Sequence, residues 1–259
     1  MQNFNFHTHT KRCGHARGED REYIEAAIAG GFTYLGISDH MCFPGWDDPV
    51  ERMPYAAMDE YLDAVRGYQA EYRDRIEISL GFELEFFDDM VSYYREVAER
   101  VDYFIIGQHA KNRQDYYYDH HCTSEDLRVM HGQLIRAIET LRPFCIAHPD
   151  YFMQGRDECG EDVLAVMRDV AACCKAYDVP VEWNLKGAQM RPRKFKEGRT
   201  RAYPHRAIWE EIARVAPPVV IGYDAHYPEM LTKRELEMAA REELAALGLT
   251  PISTLPGGD

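Results

Sequence analysis

Histidines and carboxylates stand at the ends of several short apolar runs in this sequence. His7 and His9 lie two residues apart, and Asp224 and His226 repeat that spacing near the other end of the chain. On a β-strand, side chains two residues apart point the same way, so each pair could bind one ion. Imidazole and carboxylate ligands together suit zinc, manganese or iron, whereas calcium prefers oxygen ligands alone. These pairs therefore indicate metal binding.

Further residues of the same kind occur at the ends of other apolar runs or in the first loop. They are His15, His40, Glu83, His109 and His148. Taken singly, each has an ordinary structural explanation, such as a buried hydrogen-bonded histidine or an ion-pair partner. The joint pattern resists that explanation, because ligand-type residues would close six of seven predicted strands. Nine ligands exceed the needs of one four-coordinate ion and leave room for two or three ions with positions open to water.

The elements that must position these residues follow from periodicity. Short β-branched or aromatic runs predict strands at 3–9, 34–40, 77–86, 103–109, 144–148, 180–185 and 219–226. Segments of helical period predict helices at 19–29, 58–73, 90–100, 124–141, 161–177, 204–215 and 232–247. Seven β-then-α units predict a parallel sheet with right-handed crossovers. Closing it into an α/β barrel buries every strand, so we expect one domain over residues 1–249 and a loose tail at 250–259.

Two of the helices carry N-terminal signals. Ser124 precedes two acidic residues and is expected to cap the fourth helix. Thr232 and Glu235 fit a capping box at the start of the last helix. In a parallel barrel all strands open with their C-terminal ends on one face, where catalytic groups gather. Seven of the eleven histidines fall at that face, whereas random placement would scatter them.

Composition narrows the class of protein. The chain has 259 residues, 46% of them apolar, enough to bury a full core. A net charge of −14 argues against a nucleic-acid-coating surface, although bound cations would still permit an anionic substrate. Seven cysteines without a CxxC pair are typical of a reduced, cytoplasmic protein. We expect neither a signal peptide nor a membrane span, because no apolar run has the required length or flanks.

The ordered motifs resemble the PHP family, named after its polymerase-associated and histidinol-phosphatase members. The opening HTHT at 7–10 and CGHA at 13–16 resemble the histidinol phosphatase branch in particular. Later motifs match in order: SDH at 38–40, GFE at 81–83, GQH at 107–109, AHP at 147–149 and DAH at 224–226. The resemblance runs from residue 3 to about residue 230. Amidohydrolases also open with HxH but typically bridge their metals with a lysine, so Glu83 favours the PHP family.

The resemblance implies a distorted (β/α)7 TIM-like barrel with a trinuclear centre of zinc, manganese or iron. The first ion would be held by His7, His9, Glu83 and Asp224. Glu83 would bridge to a second ion, completed by His109 and His148. The third ion would be held by His15, His40 and His226.

The resemblance also implies a phosphoesterase that uses metal-activated hydroxide to hydrolyse a small-molecule phosphate monoester. L-Histidinol phosphate is the first candidate substrate because of the CGHA opening, and Glu83 and Asp224 would be catalytic through the ions they bind. Another phosphoesterase of the family remains an alternative, acting on a nucleotide, a cyclic phosphate or a nucleic-acid end. A non-catalytic metal-binding module is less favoured, because no ligand motif is lost. The sequence leaves the oligomeric state open.

Other residues have two interpretations each. Asp39 precedes His40 and would either orient that histidine or protonate the leaving oxygen. Glu85 would either pair with a cation or take part in the chemistry. The basic segment 190–201, after the unusual sixth strand EWNLKG at 182–187, would either bind phosphate or be a solvated loop. The candidate phosphate-binding residues are Arg191 and Arg193, with Arg17 and Lys111 as competitors.

Overall fold

Seven short strands form one parallel sheet that curls into a nearly closed barrel. The computed structural model describes residues 1–114 and 116–255. The strands, numbered along the chain, are β1 (Phe4–Asn5), β2 (Tyr34–Ile37), β3 (Glu77–Leu84), β4 (Tyr103–Ile106), β5 (Cys145–Ile146), β6 (Val181–Asn184) and β7 (Val219–Gly222). Their order in the sheet is their order in the chain, and every neighbouring pair is parallel. The predicted α/β class and seven-stranded barrel are confirmed.

Helices surround the barrel. They are α1 (Asp20–Ala29), α2 (Met58–Tyr72), α3 (Val91–Ala98), α4 (Ser124–Leu141), α5 (Glu161–Tyr177), α6 (Leu185–Ala188), α7 (Arg206–Val215) and α8 (Arg234–Ala246). All seven predicted helices are present. The short α6 is additional, as are two hairpins, Ala110–Asn112 with Tyr116–Tyr117 and Arg193–Phe195 with Gly198–Thr200. Among the described residues, no helix combines the length and apolarity that a membrane crossing requires.

The barrel closes between β1 and β7 through side chains and one isolated bridge. The Asn5 side-chain oxygen accepts a hydrogen bond from the Tyr223 backbone N–H at 3.0 Å. Further along, Thr8 pairs in parallel with Ala225, and the backbone N–H of His9 donates to the Ala225 carbonyl at 2.9 Å. The C-terminal ends of the first and last strands therefore lie side by side.

Alternation along the strands separates two apolar cores. On β4, Phe104 and Ile106 belong to the large cluster that packs with the helices, whereas Ile105 belongs to a small separate cluster. This small cluster includes Phe4, Phe6 and Val220 from the closing strands. Neighbouring strand residues face opposite sides of a sheet. The small cluster therefore fills the inside of the barrel.

Residues 250–255, expected to be a loose tail, pack against the barrel instead. The Ile252 backbone N–H donates to the Val219 carbonyl at 2.8 Å, and the Asn3 N–H donates to the Ser253 carbonyl at 3.1 Å. Ile252 and Leu255 contact the inner apolar cluster. The segment therefore covers the end of the barrel from which the strands begin. Residues 256–259 lie outside the described residues.

Candidate metal centre

All nine predicted ligand side chains meet at the C-terminal mouth of the barrel. Ligand-type atoms of His7, His9 and Asp224 lie within 4.8 Å of one another, and so do those of His15, His40 and His226. The remaining three, Glu83, His109 and His148, complete the cluster. These residues are far apart in sequence. Their convergence follows from the parallel sheet, because each follows or ends a strand that opens on the same face.

The Glu83 carboxylate lies at the centre of the cluster and is 1% exposed. Its Oε1 atom is 2.8 Å from His148 Nε2 and 3.5 Å from His109 Nε2. Its Oε2 atom has three imidazole nitrogens at 3.1 to 3.3 Å, those of His9, His40 and His7. Within the described part of the chain, neither oxygen makes a hydrogen bond of good geometry. A buried carboxylate of this kind fits a bridge between two divalent cations.

Two glycines make room for buried carboxylates. A Cβ atom at Gly107 would lie 1.9 Å from Glu83 Oε1. Likewise a Cβ atom at Gly222 would lie 1.9 Å from Glu182 Oε2. Any larger residue at either position would push a carboxylate out of place. Both glycines are therefore part of the geometry of the cluster.

Glu182, on β6, fixes the orientation of His7. Its Oε2 atom is 2.7 Å from His7 Nδ1, which leaves Nε2 of the same ring facing Glu83 and His9. The other Glu182 oxygen accepts a hydrogen bond from Asn184 Nδ2 at 2.7 Å. Histidines that bind metals are usually held in this way by a carboxylate on the other ring nitrogen. Glu182 was not among the predicted site residues, although an acid on the inward face of a strand was the signal.

Glu85 plays the corresponding part for His109. Its Oε1 atom is 3.2 Å from His109 Nδ1, and both of its oxygens bind the Arg52 guanidinium, at 3.0 and 3.1 Å. Of the two interpretations that the sequence left open, pairing with a cation is the one that this geometry matches. Glu85 and Arg52 are each 1% exposed, so water screens their ion pair only weakly.

Two of the clustered residues have unusual backbone conformations. Asp224 has a φ of 47° and His148 a φ of 27°. Positive φ is uncommon for residues other than glycine, although asparagine, aspartate and histidine adopt it more often than the rest. Such conformations persist where the surroundings enforce them, commonly at functional sites. Here they turn the chain just after β7 and β5 and direct both side chains into the cluster.

Burial lowers the pKa of three histidines of the cluster. The pKa of His9 and of His40 falls well below the ordinary value because both rings are buried among other imidazoles. Burial and the neighbouring His226 lower the pKa of His15 to about 4. Imidazole binds metals in its neutral form. These three rings are therefore ready to bind at neutral pH.

Two histidines behave in the opposite way. Burial disfavours the charged form of His7, but the carboxylates of Glu182 and Glu83 outweigh it and raise the pKa of His7 well above its ordinary value. For His109, Glu83 and Glu85 likewise overcome burial and raise the pKa. The raised pKa values favour the protonated rings, and protonated imidazole cannot bind a metal ion.

Asp39 faces away from the cluster. Its two oxygens accept hydrogen bonds from the Thr10 backbone N–H and the Thr10 hydroxyl, both at 2.8 Å. Burial raises the pKa of Asp39 to about 7, although the bonds from Thr10 lower it. Adjacent residues of an extended segment point to opposite sides, so Asp39 and His40 diverge. Neither predicted role of Asp39 matches this placement, and its carboxylate instead holds the turn that follows β1.

The basic segment 190–201 does not reach the cluster. Arg193 donates to the Gln154 carbonyl and, at 3.0 Å, to the Arg156 carbonyl, which ties its hairpin to a neighbouring loop. Arg191 is exposed and, among the described residues, is not part of the cavity wall. This placement does not support phosphate binding by these arginines, which stays a prediction. The guanidinium of Arg193 donates hydrogen bonds to backbone carbonyls near the hairpin and not to a substrate phosphate.

The two competing cations are also placed elsewhere. Lys111 Nζ is 2.6 Å from Asp126 Oδ1. Arg17 is exposed, and neither residue lines the cavity over the cluster as far as the structure is described. In an acidic protein, a surface lysine or arginine readily finds a local carboxylate, which the sequence pattern does not reveal.

A cavity of about 280 Å³ opens above the cluster. Four further carboxylates, those of Asp48, Glu51, Glu85 and Asp119, line it with Tyr117, Tyr151, His120 and several of the clustered residues. Among the described residues in its wall, the arginines and lysines are Arg52 and Lys186. Lys186 lies in the EWNLKG stretch and has its Nζ atom 3.1 Å from His226 Nε2. The sequence analysis did not single it out.

The sequence is similar to those of proteins that are named as histidinol phosphatases. A Deinococcus radiodurans protein named "Probable histidinol-phosphatase" is 35% identical over 102 residues, covering 39% of this chain and 39% of that protein. The Bacillus subtilis "Histidinol-phosphatase" is 27% identical over 139 residues, covering 48% and 52%. The chain thus spans between about two fifths and one half of the length of these two relatives.

A solved structure shares the fold. The histidinol phosphate phosphatase of Lactococcus lactis, crystallised with zinc, L-histidinol and phosphate, superimposes with a TM-score of 0.72 at 15% identity, over 97% of this chain and 95% of that one. The PHP domain family matches residues 5–185, which is more than half of the sequence. Together with the barrel and its mouth of histidines and acids, this match makes the chain a member of the PHP domain family.

Proposed function

We propose that this protein is a metal-dependent phosphoesterase that hydrolyses a small-molecule phosphate monoester, with L-histidinol phosphate as the first candidate substrate. One observation carries the proposal. Glu83 is a buried carboxylate without good hydrogen bonds, surrounded by imidazole nitrogens at the floor of an open cavity. The names of the relatives, and the zinc, L-histidinol and phosphate in the Lactococcus lactis structure, support the choice of substrate.

The cofactors in this proposal are two or three divalent ions of zinc, manganese or iron. His7, His9, Glu83 and Asp224 would hold the first. Glu83, His109 and His148 would hold the second, and His15, His40 and His226 the third. Ions bound there would lower the pKa of water, orient the phosphate group and neutralise its charge.

The residues of the chain prepare this chemistry. Glu182 and Glu85 orient His7 and His109 through hydrogen bonds to the ring nitrogens that face away from Glu83. Tyr151 packs against His109 and His148, with ring centroids 5.0 and 5.2 Å apart, and shields that side of the cluster from water. Attack of water on phosphorus would break the bond to the ester oxygen and release an alcohol and inorganic phosphate. This scheme requires no serine or cysteine nucleophile.

We also propose a reducing, cytoplasmic setting and no nucleic-acid partner. All seven cysteines are free thiols, and five of them are buried. Disulfides are rare in reducing compartments, which fits this pattern. The net charge of −14 and the carboxylates in the cavity wall oppose binding of a long polyanion.

The test is turnover by protein reconstituted separately with zinc, manganese and iron. Phosphate release from L-histidinol phosphate is compared with release from a nucleoside monophosphate, a cyclic phosphate and a phosphorylated DNA end. We expect the highest kcat/KM for L-histidinol phosphate and loss of activity with a chelator. Similar, poor rates on every ester would contradict the substrate. No turnover of any ester by the metal-loaded protein would contradict the phosphoesterase.

A ligand variant tests the metal centre separately. His9→Ala should lose bound metal and most activity, because the His9 ring is buried beside Glu83. His131→Ala is the matched control, since His131 lies on α4 and makes only a 3.8 Å ion contact with Asp169. Full metal content and full turnover in His9→Ala would rule out this mechanism.

A further inference from the structure

The positive charge available to a phosphate group in this cavity is limited. Arg52 lines the cavity, but both terminal nitrogens of its guanidinium bind Glu85, and one also donates to the Met41 carbonyl at 2.9 Å. Its guanidinium also lies 4.0 Å from the centre of the Trp46 ring. Arg52 is therefore a structural cation whose charge is matched by Glu85.

Lys186 differs from Arg52 in its freedom to move. Its side chain is 42% exposed, and its Nζ atom lies 3.8 Å from Asp224 Oδ1 as well as 3.1 Å from His226 Nε2. Its backbone is held firmly, because the Asn184 side chain caps α6 by accepting from the Gly187 N–H at 2.8 Å. A fixed backbone with a flexible, partly exposed side chain suits a lysine that changes partner.

A metal ion at His226 would favour that change. An ion bound to a histidine nitrogen lies about 2.1 Å from it. The Lys186 ammonium lies beside the His226 ring, 3.1 Å from Nε2 and 3.3 Å from Nδ1, so an ion bound to this ring would repel it. When His15, His40 and His226 bind an ion, this repulsion would drive Lys186 away from His226 toward the cavity that it lines.

We propose that Lys186 binds the phosphate group of the substrate once the metal centre is loaded. This inference rests on the proposed phosphoesterase function. Carboxylates of Asp48, Glu51 and Asp119 in the same wall repel an anion. The Lys186 ammonium would offset that repulsion and donate hydrogen bonds to a phosphate oxygen directed away from the ions. Lysine thus takes the role that the sequence analysis gave to arginines of the 190–201 segment.

The experiment measures binding of inorganic phosphate to the metal-loaded protein by titration calorimetry, with Lys186→Met, Lys186→Arg and the matched control Lys196→Met. Lys196 is exposed on the hairpin, where its Nζ atom is 2.8 Å from Glu158 Oε2. We expect Lys186→Met to weaken phosphate binding by about tenfold or more, the effect of one lost charged hydrogen bond. Lys186→Arg should retain affinity within about threefold, and Lys196→Met should match the wild type.

The number of ions bound per chain is measured on the same samples. Lys186→Met should bind as many ions as the wild type, with equal or higher affinity, because a competing cation has been removed. Unchanged phosphate affinity in Lys186→Met would overturn the proposal. One additional ion in Lys186→Met would also overturn it, because Lys186 would then occupy an ion position permanently. Neither readout requires turnover, so failure of the phosphatase assay is distinguishable from failure of this inference.

Discussion

Single residues around the cluster determine which ring nitrogen each histidine directs toward the metal site. Nine ligand-type side chains could be predicted from sequence because strand-end position and residue type are both visible there. Glu182 was missed although its place on the inward face of a strand was a signal, because it acts through His7, and Lys186 could not be predicted, because its position depends on the exact end of β6. The four cations predicted to bind phosphate are not in the cavity wall as far as the structure is described, and their role stays a prediction. Sequence spacing does not show which partners long side chains take.

The Glu182→Gln variant tests orientation of His7. Glutamine keeps the size of the side chain but removes the negative charge of the carboxylate, whose Oε2 atom lies 2.7 Å from His7 Nδ1. We expect metal affinity to fall about 10-fold to 100-fold, as is usual when such a partner is lost. Competition with a chromogenic chelator measures it. The exposed Glu242→Gln serves as control, and equal affinities in the two variants would contradict the role of Glu182.

The raised pKa of His7 predicts a pH dependence. Because their pKa is raised, His7 and His109 hold a proton to higher pH than an ordinary histidine does, so metal binding should release protons and strengthen as pH rises. The His7 contribution to stability of the metal-free protein is full below about pH 6.5 and is lost as pH rises through the raised pKa. Calorimetry in buffers of different ionisation enthalpy counts the protons. Metal affinity that stays constant between pH 6 and 9 would disprove the assignment.

At the scale of elements, the ends of helices were harder to predict than their existence. The cap of α4 is Thr123 rather than Ser124, because Thr123 and Asp126 form a reciprocal capping box. Asp126 also accepts hydrogen bonds from Lys111 and Tyr116 of the first hairpin. The expected Thr232 cap of α8 was wrong too, since that helix begins at Arg234 and the Thr232 hydroxyl donates to the Glu229 carbonyl. Such choices depend on partners outside the helix.

Thr123→Ala tests the capping box. We expect the free energy of unfolding to fall by about 1 kcal/mol, the usual effect of losing a threonine cap. Ser124→Ala is the neighbouring control, because its hydroxyl only binds the exposed Asp162 carboxylate at 2.7 Å. Urea unfolding measures both variants. A larger loss in Ser124→Ala than in Thr123→Ala would restore Ser124 as the cap.

For the whole molecule, the alternation of strands and helices was sufficient to predict the barrel. The two hairpins and α6 were not predicted, because they are short and have no clear period. The C-terminal segment was judged by its proline and glycine content, which concealed the contribution of Ile252 and Leu255 to the inner apolar cluster. The composition of a segment gives only its average polarity, whereas the side chains of Ile252 and Leu255 determine whether this segment packs against the barrel.

Truncation tests that docking. A chain that ends at Leu249 should unfold with about 2 kcal/mol less free energy than a chain that ends at Leu255, because it loses the apolar contacts of Ile252 and Leu255. Urea unfolding of the two proteins, both without metal, measures the difference. Equal midpoints and slopes would mean that the segment adds nothing to stability.

The closure between β1 and β7 has a consequence for how the protein unfolds. The other neighbouring strands are joined by ladders of backbone hydrogen bonds. Apart from the bridge between Thr8 and Ala225, β1 and β7 are joined by side chains such as that of Asn5. An ion bound by His7, His9 and Asp224 would link the end of β1 to the end of β7. Metal loading should therefore slow hydrogen exchange of the first and last strands far more than that of β3 and β4. The metal ion of the proposed active site would then also stabilise the closure of the barrel.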